Sequence, residues 1–350
     1  MKITREFFGT TKSGREISKY TMENGGLTAA FINYGARLIS LSLKNEMGRP
    51  TDIVLAYDNI NDFEEHPSCY GACCGRVANR IADATFDLNG ETYTLAKNNS
   101  VNSLHGGEIG FHNCVFDGQV LPDGVKFTYF SADGESGYPG NLTLSVTYKL
   151  TNNGELRIIY NADTDKDTLL NVTNHSYFNL NGEGRGNVLE NVLQMPCEEM
   201  TEIREGLIPT GKIVKCEGVF DWREGRPIGD MLENDDPQFA IAGTHDHNYV
   251  IPGTGIRLCA KLTSPSSGIT METFTDQPGV QIYVQPGPNE NPAKKGHLYA
   301  PYSSVCIETQ HYPDSIHHDN FPSVVLKAGE HFVSETDYRF TVNKKSPVKD

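Results

Sequence analysis

The sequence predicts an all-β protein, a sandwich or barrel of twisted, mainly antiparallel sheets, on three observations. Apolar and polar residues alternate with a period of two in several segments. Turn formers punctuate the chain throughout, with 34 glycines and 18 prolines in 350 residues. Helical periodicity is nearly absent, and many short strands joined by frequent turns suit a sandwich or barrel.

Taken in chain order, the first element is the exception: residues 59–65 have the pattern of a short helix. Residues 84–88 and 91–95 flank Asn89-Gly90, whose residues both tolerate positive φ, and this predicts a hairpin. Leu142, Leu144, Val146, Tyr148 and Leu150 alternate with Thr143, Ser145, Thr147 and Lys149, the pattern of a strand with one buried face. The chain then turns at Asn152-Asn153-Gly154 and returns through residues 156–160, a second hairpin. Ile256, Leu258, Ala260 and Leu262 alternate again, and residues 279–284 and 304–307 read as further strands. No linker, composition break or short repeat divides the chain, so residues 1–350 are read as one domain.

Composition narrows the class of partner. A formal net charge of −15 repels phosphate backbones and anionic lipid, which argues against nucleic-acid and membrane partners. The N-terminal residues carry no apolar run after their basic residues, and no stretch approaches bilayer-spanning length, so a cytoplasmic location is expected. The eight cysteines lack CxxC spacing and read as reduced, mostly buried thiols. Cys69, Cys73 and Cys74 are the group that could hold a metal, but their spacing is not that of a known site, and no metal is expected. Asn98, Asn141, Asn171 and Asn174 begin Asn-x-Ser/Thr triplets, read as chance matches.

Two further patterns are set aside. Gly182-Glu183-Gly184-Arg185-Gly186 lacks the spacing and the following helix of a phosphate loop and reads as a turn. His245-Asp246-His247 puts two imidazoles on one side of an extended segment with no third ligand nearby, and His317-His318 reads as solvated loop. More informative are polar groups inside strand-like runs. His175 lies amid amides and aromatics in residues 171–180, and Glu308 sits in the apolar run 304–311. A buried carboxyl has its pKa raised toward neutrality, which suits a general base. A structural ion pair for Glu308 and a satisfied core histidine for His175 are the competing readings.

Seven segments lie in one order along the chain: Gly75-Arg76-Val77-Ala78-Asn79-Arg80-Ile81, Asn102-Ser103-Leu104-His105-Gly106-Gly107, Asn174-His175-Ser176-Tyr177-Phe178-Asn179-Leu180, Leu207-Ile208-Pro209-Thr210-Gly211, Asp246-His247-Asn248, Pro278-Gly279-Val280-Gln281 and Glu308-Thr309-Gln310-His311-Tyr312-Pro313-Asp314. Together with Phe321-Pro322-Ser323-Val324-Val325-Leu326-Lys327 and Gly329-Glu330, this series resembles the aldose 1-epimerase (galactose mutarotase) family over nearly the whole chain. The resemblance implies a galactose-mutarotase-like β-sandwich with a sugar cleft on a concave sheet. It implies interconversion of the α and β anomers of a free aldohexose such as galactose or glucose, without cofactor or metal. Carried over at matching positions, Glu308 is the general base and His175 the general acid; Asn79, Arg80, His105, Asp246 and Gln281 contact the sugar. Thr244-His245 and residues 197–206 depart from the family pattern, which places rim contacts and sugar preference in question.

Three rival readings stay open at this point. A non-catalytic sugar-binding module could use the same scaffold. A hexose-phosphate mutarotase would need clustered cations, for which Arg76, Arg80 and a rim at Lys294-Lys295 are available. A glycoside hydrolase would need two carboxylates about the bond, as Glu308 and Asp246 could be. The partner is a monosaccharide in the favoured reading, and the chain is a monomer or homodimer.

Overall fold

A computed structural model of the protein describes residues 1–66 and 68–343, so the end of the span read as one domain, residues 344–350, lies outside the described residues. Three sheets carry the architecture. A nine-stranded antiparallel sheet has as its centre the strands Leu142–Leu150, Glu155–Thr164 and His331–Val342. A six-stranded antiparallel sheet runs in the order Tyr177–Phe178, Val305–Gln310, Gly279–Val284, Asp246–Val250, Glu199–Arg204, Ile208–Lys215. A five-stranded meander over residues 2–52 forms the third.

One apolar core joins them. Leu144, Val146 and Ile158 of the nine-stranded sheet share a buried cluster with Val280, Ile282 and Ile307 of the six-stranded sheet and Phe31 and Leu41 of the meander. Ring contacts mark the seams: Phe178 meets Tyr338 at 5.2 Å and Phe31 meets Tyr148 at 4.3 Å between centroids. The Tyr148 hydroxyl donates to the Ala36 carbonyl at 2.7 Å, so even this buried phenol is satisfied.

The predicted elements form, with differences that have local causes. The short helix is Ile60–Glu65, capped by Asn59, whose side chain accepts from the Asp62 amide. Strands Thr85–Leu88 and Glu91–Thr94 pair as predicted, with φ of 54° at Asn89 and 81° at Gly90. Leu142–Leu150 departs from one-sided burial, because Ser145 and Thr147 are buried too; a strand flanked on both sides in a wide sheet leaves small side chains little access to water. In Arg257–Thr263 a bulge at Cys259 breaks the expected alternation, so Cys259 and Ala260 are both buried while Ile256 is exposed. A second short helix, Pro237–Ala242, was not predicted from sequence, although Asp236 as cap, Pro237 in the first turn and Gly243 at the left-handed end mark its limits.

The histidine pairs are also placed differently. His245 and His247 do share one side of their strand, but that side faces the core, among Phe220, Trp222 and Phe239. Thr244 donates to the Val284 carbonyl at 2.7 Å. The departure at Thr244-His245 is therefore a change of core packing, not of the rim as its sequence suggested. His317 is not simply solvated, since it pairs with Asp314 at 2.6 Å, and His318 packs on Phe321. No helix among the described residues is long and apolar enough to cross a membrane.

Burial holds several imidazoles neutral. Desolvation lowers His311 to about 4 and lowers His247, despite the opposing pull of Asp246, to about 4; it depresses His245 further. A group whose folded pKa is depressed contributes stability that is complete above its unfolded value near 6.5 and is lost as pH falls through the folded value. Thermal melts should therefore show stability declining from about pH 6.5 towards 4, by about 1.4 kcal/mol per such group per pH unit. A flat Tm across that window would show that these imidazoles titrate normally.

Candidate active site

The six-stranded sheet sets out the chemistry by its pleat. Side chains two apart share a face, so Cys306, Glu308 and Gln310 project opposite to Val305, Ile307 and Thr309. Register then aligns the neighbours: Gln281 stands opposite Glu308, Tyr283 opposite Cys306, and Asp246 opposite Tyr283. Tyr177 continues the row beside Cys306. The result is a polar row across one face of a sheet whose other face carries Val280, Ile282, Val305 and Ile307 into the core.

Loops wall this row in. Strand Thr173–His175 pairs with Ala72–Cys74 and delivers His175 to the cleft. The segments 75–81 and 102–107 pack against each other so closely that a Cβ on Gly106 would collide with the Gly75 carbonyl oxygen. That contact brings Asn79 and His105 together, both with positive φ. The Asn79 amide donates to His105 Nδ1 at 3.1 Å, and the Arg80 amide donates to Asn79 Oδ1 at 2.9 Å. Because Nδ1 accepts, the neutral His105 ring carries its proton on Nε2 and presents a donor there.

A cavity of about 300 Å³ results, lined by Asn79, Arg80, His105, His175, Asp246 and Glu308, with Tyr177 and Tyr283 as aromatic wall. Six of the seven sequence-predicted residues thus come together at one surface. Gln281 does not line it; from the same sheet face its side-chain amide donates to Asp246 Oδ1 at 2.5 Å, so it orients Asp246. Arg80 Nη1 lies 3.7 Å from Asp246 Oδ2, and its Nε donates to Asn99. A wider polar compartment of about 440 Å³ adjoins at Ser68, Tyr177 and Tyr283.

His175 Nε2 and Glu308 Oε1 are 3.5 Å apart, and both side chains are almost fully buried. Burial first, then the Asp246 carboxylate, pushes the Glu308 carboxyl well above the usual carboxylate range. Burial pushes His175 down to about 4, against the pull of Asp246. His105 is depressed by burial and then by His175, its ring 5.2 Å away. Glu308 Oε2 is buried and has no hydrogen-bond partner among the described residues. The arrangement can take a proton at one point and give one at another close by.

Tyr177, Tyr283, Cys69 and His112 also line the cleft and were not singled out as site residues from the sequence. Tyr283 was legible in principle, two residues beyond Gln281 on one strand face. His112 carries no such signal, because the turn Phe111–Asn113 brings it there from a distant loop. Asn98, dismissed as a chance triplet, brackets Leu104 with two hydrogen bonds of 2.8 and 3.0 Å. Of the cations considered for a phosphate, Arg76 is buried and donates to the carbonyls of Ser131, Ala132 and Pro139. Lys294 is buried against Asp52 at 2.8 Å and Lys295 pairs with Glu183, so neither forms a rim to the cleft.

Comparison with known proteins agrees with this geometry. Residues 18–339 match the family described as aldose 1-epimerase. Galactose mutarotase of Bos taurus is 38% identical over 346 residues, which is 98% of this chain and 99% of that protein. The Homo sapiens galactose mutarotase is 37% identical, with 97% of this chain and 99% of that protein covered. The crystal structure of an aldose epimerase homologue from C. elegans superposes with a TM-score of 0.86 at 29% identity, over 97% of this chain and 99% of that one.

Proposed function

The chain belongs to the aldose 1-epimerase family, and on that premise we propose that it interconverts the anomers of free aldohexoses such as galactose and glucose with Glu308 and His175 as its acid–base pair. It is an isomerase: the reaction breaks and remakes one bond within one sugar, so atoms and oxidation state are conserved. The observation that carries the assignment of roles is the 3.5 Å approach of His175 Nε2 to Glu308 Oε1 inside the cleft.

Mutarotation requires a proton taken from the anomeric hydroxyl and one delivered to the ring oxygen. Burial favours the acid form of Glu308 and the neutral imidazole of His175, an arrangement in which the pair holds one proton between them. That is the count the reaction needs. A sugar hydroxyl donating to the Glu308 carboxyl, with Arg80 close by, favours the carboxylate and moves the proton to His175. Glu308 then accepts the anomeric proton while His175 protonates the ring oxygen, and the C1–O5 bond opens to the aldehyde. Rotation about C1–C2 presents the other carbonyl face, and closure with the roles reversed gives the second anomer. Asn79, His105, Arg80 and Asp246 would hold the remaining hydroxyls, with Gln281 fixing Asp246.

Arg80 supports a neutral sugar over a phosphorylated one. Among the described residues it is the sole guanidinium or ammonium lining the cavity, and it is already engaged by Asp246 and Asn99. A monosaccharide partner without nucleic acid or membrane, a monomer or homodimer, one domain and a cytoplasmic location complete the reading; the eight free cysteines suit a reducing compartment.

Polarimetry on freshly dissolved α-D-galactose and α-D-glucose tests the pair. Glu308→Gln and His175→Asn should each slow turnover by about 10²–10⁴-fold while leaving sugar affinity within a few-fold. Wild-type turnover in Glu308→Gln would remove it from the chemistry, and full activity in His175→Asn would pass the acid's role to His105. Below about 4 the imidazole takes a second proton and no base remains, so kcat/KM should hold level through neutrality and fall only near pH 4. An acid limb near 6.5 would contradict the buried pair. Gln281→Leu should raise KM about tenfold with a smaller loss in kcat, since it loosens Asp246 without touching the proton path. Equal loss in both parameters would place Gln281 in the transition state instead.

A further inference from the structure

The cysteines set aside in the sequence acquire a third partner in the fold. Cys73 turns into the main core, whereas its neighbour Cys74 projects to the other face of strand Ala72–Cys74. There the thiols of Cys69 and Cys74 and a ring nitrogen of His112 lie within 4.8 Å of one another. We propose that Cys69, Cys74 and His112 form a site for a thiophilic divalent cation, zinc or cadmium, in the wall of the cleft, and that its occupation inhibits the enzyme.

Two thiolates and an imidazole are a soft, tetrahedral-competent donor set, and three protein ligands leave the fourth position open. Cys69 and His112 both line the sugar cavity, so the open position is reached from the cleft. The donors are held in place before any ion arrives. Arg37, fully buried, donates to the carbonyls of Ser68 at 3.1 Å and Tyr70 at 2.9 Å, which flank Cys69. Its other terminal nitrogen donates to the His112 carbonyl at 2.9 Å. One guanidinium therefore fixes the backbone of two of the three donors, and strand pairing with Thr173 fixes that of Cys74.

Charge supports the assignment. Among the described residues Arg37 has no carboxylate partner, yet Cys69 and Cys74 stand within its electrostatic reach. Loading the site with a divalent cation releases two protons, one from each thiol, and leaves two thiolates that balance the ion, so the occupied site keeps only the charge the Arg37 guanidinium already carried. Glu308 stands close enough to Cys69 to feel its charge and shares the cavity with it. A cation there would hold Glu308 as a carboxylate drawn towards the metal, and it could no longer exchange protons with the sugar. The inhibition, though not the binding, rests on the proposed role of Glu308.

The experiment is titration of cadmium into the reduced, metal-free full chain, read by the ultraviolet sulfur-to-metal band and in parallel by polarimetry. The band should saturate at about one equivalent while mutarotation falls about tenfold or more in step. Cys69→Ser and His112→Gln should each weaken cadmium binding at least about tenfold, every variant being compared with itself with and without the ion. His112→Gln carries the test if Cys69→Ser fails to fold. No band at one equivalent, or wild-type affinity in both variants, would overturn the site. Inhibition that survives in both but disappears in His105→Gln would assign the ion to His105, His175 and Glu308 instead, whose donor atoms are also within 4.8 Å of one another. The band is read without sugar, so it reports the site even if the catalytic assignment fails.

Discussion

Glu308 lies in a strand whose six residues, Val305–Gln310, are all buried, and its carboxyl is 2% exposed. Taking a carboxylate out of water costs several kcal/mol unless it is paired and hydrogen-bonded, and a group so placed neutralises instead. No arginine or lysine is bonded to Glu308 among the described residues; its near partner is His175, itself desolvated. The two groups therefore settle one proton between them and leave little net charge in the sheet. That mutual neutrality is what permits a carboxyl and an imidazole to sit over an apolar core, and the surrounding loops preserve it.

The arginines illustrate how. Arg37 and Arg76 are buried, and each directs its donors at backbone carbonyls rather than at carboxylates. Such a guanidinium works as a rigid bracket: it ties together loop segments remote in sequence through several fixed hydrogen bonds. Arg76 secures residues 131–139 beside the segment bearing Asn79, and Arg37 secures residues 68–70 and 112. In the cleft, by contrast, the Asp246 carboxylate meets Arg80 and Gln281. Asp314 extends the scheme, accepting from the Ala82 amide at 2.9 Å while its own amide donates to the Arg80 carbonyl at 3.0 Å.

Legibility in the sequence follows the range of the forces involved. Asn89-Gly90 and the alternation from Leu142 to Leu150 declare themselves because turn geometry and pleat are local. The bulge at Cys259 does not, since it is set by pairing with a neighbouring strand. Within the site, the polar interruptions at His175 and Glu308 were visible as anomalies of composition, and the family resemblance supplied roles that spacing alone left open. Gln281 could be assigned to the site but not to its hydrogen bond with Asp246 on the neighbouring strand, which depends on register. His112 and Cys69 stayed hidden because Arg37, from a third part of the chain, assembles their surroundings. The same limit explains the Thr244-His245 departure: which face of Asp246–Val250 each residue occupies depends on where the strand begins its pairing.

The cleft's charge balance bears on what it can accept. The whole chain carries a formal charge of −15, yet the cavity holds two carboxyls against one guanidinium, with burial raising one carboxyl well above the usual carboxylate range. A phosphorylated sugar would meet an anionic surface outside and a single, already paired cation within, and neither repays the loss of its hydration. A neutral hexose meets no such penalty, and in the proposed reading its hydroxyls meet the polar groups of Asn79, His105, Asp246 and Glu308 that line the cavity. In that reading, selection for a free sugar arises less from any added recognition group than from the absence, among the described residues, of spare positive charge at the cavity, the same condition that leaves Glu308 without a cation bonded to it.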